Sequence, residues 1–127
     1  MPIMALAQLK NWHMDETMRY YADYDFDLEK ITSQPIEANV RIIIDIGANG
    51  EGRFVTYIGE NKNVFSISSA TSFDKEGHIT HIKCQNLRNQ TVPAGVKLRQ
   101  VNDGNYVISQ VWITNPNKMT ALLFYND

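Results

Sequence analysis

The sequence predicts an all-β protein: a jelly-roll-like antiparallel β-sandwich of about eight strands with a short N-terminal helix or arm. Three observations predict it. Turn-forming residues cluster at regular intervals. The runs between the clusters are short and rich in β-branched and aromatic residues. Asparagine is unusually abundant, with twelve copies against twelve Lys and Arg together. Asparagine tolerates positive φ and bonds its own backbone, so it belongs in tight turns. Many tight turns in one small chain mean many short strands.

The elements follow in chain order. Met4 to Met14 reads as a short helix or arm, with Leu6, Leu9 and His13 on one side. It is too short to be stable alone and must dock on something. The single domain 1–127 therefore divides into an arm or short helix over 1–16 and a β-sandwich over 17–127. From Thr17 the period becomes two. Met18, Tyr20, Ala22, Tyr24, Phe26 and Leu28 alternate with Arg19, Tyr21, Asp23, Asp25, Asp27 and Glu29. A strand puts each set on one face, so Thr17 to Lys30 reads as one long or bent strand, ending at the turn Thr32-Ser33-Gln34-Pro35.

Seven further strands are expected at Ala38–Ile46, Arg53–Ile58, Val64–Ser69, His78–Gln85, Val96–Val101, Tyr106–Ile113 and Met119–Tyr125, separated by Asn- and Gly-rich clusters. Asp103-Gly104 signals a two-residue type I′ hairpin, which pairs Val96–Asn102 with Asn105–Ile113. In the last two strands both faces are partly apolar. Tyr106, Ile108 and Trp112 oppose Val107, Val111 and Ile113, and Leu123 and Tyr125 oppose Leu122 and Phe124. That is more apolar surface than a lone sandwich requires, and it points to self-association.

Composition narrows the functions. A chain of 127 residues with 43% hydrophobic content holds one domain with a core large enough to fold without staples. Its net charge of −2 argues against a nucleic-acid binder built on a basic stripe. No run of 18 apolar residues predicts a membrane span. Met1–Lys10 lacks the basic region of a signal peptide. Asn89-Gln90-Thr91 matches the glycosylation pattern, which carries little weight without export. Cys84 is the single cysteine, so no internal disulfide is available.

Groups able to do chemistry are sparse, and no cofactor, metal or catalytic residue is expected. Asp23, Asp25, Asp27 and Glu29 would line one strand face about 7 Å apart. Such a row could hold calcium, but it reads better as a solvated face that deters edge pairing. Asp45 to Gly50 begins like a calcium loop, yet Thr56 stands where the closing Glu belongs, so a hairpin turn is the better reading. His78, His81 and Cys84 cannot converge from one strand, since His81 points away from the other two. No serine lies in a nucleophile elbow, and no glycine-rich loop opens a helix. An enzyme is not expected. The aromatic residues could form a sugar-stacking platform, though most of them lie on faces already assigned to packing.

Thr91-Val92-Pro93-Ala94-Gly95-Val96 resembles a turn that feeds a strand in many jelly-roll proteins, cupins among them. The cupin histidine pair is absent, which excludes the metal-dependent chemistry of that family. With its Asn-punctuated short strands, the region 38–127 is similar to bacteriophage jelly-roll virion proteins, namely head decoration or cement proteins and small fibre-knob domains. The resemblance implies a non-enzymatic virion structural protein, made in the host cytoplasm, that stabilises a capsid as a dimer or trimer bound to the major capsid protein. The residues expected to bind partners are Ile3, Met4, Leu6, Leu9 and Trp12 of the arm, with Leu122 and Phe124 of the last strand. The alternative is a carbohydrate-binding module or lectin-like receptor-binding domain, with a glycan as ligand. A small regulatory or anti-defence binder is a third possibility. Neither nucleic acid nor membrane is expected as a partner.

Overall fold

The computed structural model describes residues 7–74, 78–117 and 119–126. Among these residues nine antiparallel strands make one sheet: β1 (Trp12–Asp25), β2 (Lys30–Ile31), β3 (Ile36–Ile46), β4 (Gly52–Ile58), β5 (Asn61–Ala70), β6 (Ile79–Gln85), β7 (Ala94–Gln100), β8 (Tyr106–Thr114) and β9 (Thr120–Tyr125). Each of β3 to β9 pairs with its chain neighbour, and β9 also pairs with β1. The sheet thereby closes into an up-and-down barrel of eight strands, with β2 a short hairpin arm on β1.

All-β character, antiparallel pairing and the strand count agree with the sequence; the architecture differs. A jelly-roll sandwich needs two sheets joined by long connections, whereas here each connection from β3 to β9 is a hairpin and the single sheet meets itself. The expected N-terminal helix is not found in the described part of the arm. Ala7 to Leu9 runs along the end of β5: the Leu9 N–H donates to the Ala70 carbonyl at 2.7 Å and the Ser72 N–H to the Ala7 carbonyl at 2.7 Å. Strand β1 then starts at Trp12, so residues 12–16 belong to the barrel rather than to the arm. Among the described residues no helix is long and apolar enough to cross a membrane.

The local chemistry explains the strands. In β3, Val40, Ile42, Ile44 and Ile46 are buried while Arg41 and Asp45 face solvent. Branched side chains on alternate positions suit a pleated wall with one dry face. The barrel interior is filled by such residues together with Phe54, Ile67, Ile82, Cys84, Val96, Val111 and Phe124. Each large side chain fully buried there contributes roughly 1.5–3 kcal/mol.

Turn chemistry is equally local. Gly59 opens the β4–β5 hairpin at φ +60°, as a type II′ turn requires. The Asn86 side-chain oxygen Oδ1 accepts the N–H groups of Arg88 and Gln90, and Oδ1 of Asn117 accepts those of Met119 and Thr120. The β7–β8 hairpin forms as expected, but over a 3-10 turn at Asn102–Gly104 with a bulge at Ser109, not over a two-residue turn.

The expected long strand from Thr17 to Lys30 is broken in two ways. Phe26 to Glu29 form the β1–β2 turn, where the Asp25 carboxylate accepts the Leu28 N–H. Earlier, Ala38 and Asn39 of β3 together face Arg19 in a bulge. Met18 lies inside against Val40 before the bulge. Beyond it Tyr21 packs on the core beside Phe124, so Tyr20, Ala22 and Tyr24 face outward.

Gly52 is fixed by close approach. A Cβ there would lie 1.7 Å from the Asp45 carbonyl oxygen. Because that atom is backbone, Gly52→Ala is expected to destabilise the barrel by about 1–3 kcal/mol or more, read as a lower urea midpoint at unchanged m-value.

Candidate binding site

Two surface features stand out once the barrel is built. The first is on the outer wall. Val111 and Ile113 point into the core from β8, and Leu122 and Phe124 from β9. Trp112, Ala121 and Leu123 therefore point out. The space that a Cβ on Gly95 would fill is taken by the Trp112 indole, 2.0 Å from that position. Leu123 stands between Trp112 and Ala22 across the sheet. Tyr24 packs edge-on against Phe26, with centroids 5.6 Å apart. Ala22, Ala121 and Leu123 are buried although they lie outside the barrel, because these rings cover them. The result is a groove of about 360 Å³ lined by Tyr24, Phe26, Ile79, Trp112 and Leu123, with Lys97 and Gln110 as its polar members. Exposed Leu28, Ile31 and Met119 continue it towards the β1–β2 hairpin, where the Phe26 N–H bonds the Met119 carbonyl at 3.1 Å.

The second feature is a recess of about 500 Å³ between β1 and β8, lined by residues 12–16 and 106–109 with Phe73, Leu98, Arg99 and Asn126. Two side-chain pairs flank it on the β1–β3 wall: His13 hydrogen-bonded with Asp45, and Arg41 ion-paired with both carboxylate oxygens of Asp15 at 2.7 and 3.0 Å. The hydrogen bond from Arg41 holds the Asp15 carboxyl below its ordinary range and raises the Arg41 guanidinium. Both groups are solvated, so the pair adds little stability.

The residues expected to bind partners are dispersed. Ile3, Met4 and Leu6 lie outside the described residues. Leu9 is half-buried at the foot of the barrel, and Trp12 packs edge-on against Phe73 at 5.7 Å. Leu122 packs on the core, and Phe124 is wholly buried in it. The double apolar character of β9 is accordingly divided: Leu122 and Phe124 serve the interior, while Ala121 and Leu123 serve the outer cluster.

The acidic row does not form. Asp23 and Asp25 lie in β1, but Asp27 and Glu29 fall in the turn. Among the described residues no group of three His, Cys, Asp or Glu side chains converges to hold a metal. His81 is exposed on the outer wall, and His78 packs tilted against Tyr106 with centroids 4.9 Å apart. The buried Cys84 thiol donates to the Val92 carbonyl at 2.9 Å, and burial pushes its pKa up to about 12.

Sequence reasoning missed the pairing of Trp112 with Gly95. The signal was present, since a hairpin centred on Asp103-Gly104 sets these two residues opposite each other. It also missed Glu16, which it assigned to the arm. Comparison of the chain with protein-family models, with curated proteins and with solved structures finds no match.

A thiol with so high a pKa is almost wholly protonated near neutrality and shielded from reagents. Cys84 is expected to resist DTNB at pH 8 in the native protein and to react fully once guanidinium unfolds it. Rapid labelling of the native state would show that the β6–β7 region opens.

Proposed function

We propose that this is a non-enzymatic assembly protein that associates with copies of itself through the outer wall of β1, β8 and β9. In its specific form it is a virion structural protein, a capsid decoration or cement protein that stabilises the particle. The single observation that carries the reading is the aromatic groove on the outer wall and its apolar continuation through Phe26, Leu28, Ile31 and Met119. Interface cores are rich in aromatic residues and poor in charge, and among the described residues Lys97 is the one charged residue lining this groove. Tyr24 and Trp112 stand on paired strands and Phe26 packs on Tyr24 from the adjoining turn, which lowers the ordering cost of presenting these rings. The barrel differs from the sandwich that the phage resemblance implies, so the virion assignment rests on the self-associating surface and on the absence of any signalled chemistry in the sequence.

Light scattering is expected to give a mass that is a multiple of 14.5 kDa, consistent with a dimer or trimer. Phe26→Glu combined with Leu28→Glu is expected to yield monomers with an unchanged circular dichroism spectrum, because both side chains are exposed in the isolated chain. A wild-type chain that remains monomeric at high micromolar concentration would remove the proposal. A major capsid gene next to this one would support the virion form.

One observation favours a second reading, a glycan-binding module. Tyr24, Phe26 and Trp112 surround the groove beside the hydrogen-bonding Gln110 and Lys97, and aromatic rings stack on the apolar faces of pyranoses. Under this reading a broad glycan array gives a saturable hit that Tyr24→Ala abolishes. No hit across the array leaves the assembly reading alone.

A further inference from the structure

The barrel closes over only part of its height. Strand β9 lies between β1 and β8, pairing Tyr20 to Asp25 on one side and Gln110 to Thr114 on the other. Below it, β1 from Trp12 to Met18 pairs with β3 alone, and β8 from Tyr106 to Ile108 pairs with β7 alone, among the described residues. Two sheet edges thus face each other across a slot in line with β9. At its upper end the slot is one strand wide, because β9 is the strand that fills it there. The recess of about 500 Å³ occupies this slot.

Asn126 follows β9 at the upper end of the slot. Its side-chain oxygen accepts the Arg19 N–H at 2.8 Å, and its side-chain nitrogen donates to the Thr17 carbonyl at 3.4 Å. The amide thus bonds the β1 edge as the main chain of a longer β9 would. The main-chain groups of Asp15 and His13 follow Thr17 at two-residue steps on the same edge. The slot also has a chemically distinct inner side. Glu16 is directly opposite Ile42, which is fully buried in the core, so Glu16 projects from the inner face of the wall. It is nonetheless exposed, because the wall beside it is missing. Around it the recess presents Met14, Leu98, Tyr106 and Ile108.

We propose that this slot takes up an extended segment of a partner protein as an additional strand running in line with β9. The segment alternates, with apolar side chains turned inward over Leu98 and Ile108 and a lysine or arginine beside Glu16. Main-chain bonds to two edges supply affinity, and the alternate inward positions supply selectivity. The slot shares no lining residue with the outer-wall groove, so this inference stands apart from self-association.

The probe is a displayed library of random decapeptides, selected against the whole chain. Enriched peptides are expected to be poor in proline, to alternate apolar and polar residues, and to carry one recurrent basic position. The best of them, synthesised with a fluorophore and read by anisotropy, should bind E16K about ten-fold or more weakly. Changing the peptide's basic residue to glutamate should restore binding to E16K. N-methylation on either alternate set of amides should abolish binding, because both edges need the peptide's main chain. Three results would each overturn the proposal: no enrichment, equal affinity for E16K and wild type, or tolerance of N-methylation.

Discussion

Everything distinctive in this molecule depends on β9 being hydrogen-bonded on both sides. Without its pairing to β1, the eight strands would form an open, twisted sheet with two long edges and one unprotected apolar face. With it, Val40 to Ile46 of β3 come to share one interior with Val111 and Phe124, and the edges of β1 and β8 are removed over the height that β9 spans. Closure is the one device that eliminates sheet edges outright. Here it is applied incompletely: β9 has six residues, whereas β1 has fourteen and β8 nine. The interior core, the outer wall and the slot all follow from this mismatch.

The outer wall has a second cause, the bulge at Arg19. A strand's side chains alternate strictly, and a single irregular residue exchanges the faces. Before the bulge, β1 sends Met14 and Met18 inward; after it, Tyr21 goes in while Tyr20, Ala22 and Tyr24 go out. The outward set meets Leu123 and Trp112 from β9 and β8, and Tyr20 stacks on Tyr125 with centroids 5.5 Å apart. Apolar surface that regular alternation would have hidden is thereby placed outside, next to a hairpin whose Phe26 and Leu28 remain exposed.

Much of this was legible in the sequence, for a physical reason. Turn chemistry is local, so Gly59, Asn86 and Asn117 announce their turns without reference to the rest of the chain. Branched residues at alternate positions announce β3 in the same way. Closure is not local. Whether β9 returns to β1 depends on twist and on the pairing of residues a hundred positions apart, and neither leaves a periodic trace. For that reason the strand count was legible and the barrel was not. Residues 12–16 read as arm in the sequence because Leu6, Leu9 and His13 share a side at helical spacing and period two is clean only from Thr17. In the structure Glu16 is what interrupts the apolar inner face of β1. In β9 both faces are apolar, as the sequence leads one to expect. In β8 the bulge at Ser109 sets Ile108 on the inner face with Val111 and Ile113 rather than with Trp112. Neither that nor the full burial of Phe124 is visible without the tertiary structure.

That interruption at Glu16 has a physical logic of its own. An open edge above an apolar interior invites any extended chain to pair with it, including another copy of this protein. A carboxylate on the inner face makes such pairing costly, because an apolar strand entering the slot would strip water from the charge and return nothing to it. The same cost falls away for a segment that brings a cation, since the buried charge is then compensated and hydrogen-bonded. One residue thus deters indiscriminate strands and admits a selected class. The two roles need no separate machinery, because the desolvation cost of one carboxylate is left uncompensated by an apolar strand and offset by a strand that brings a cation.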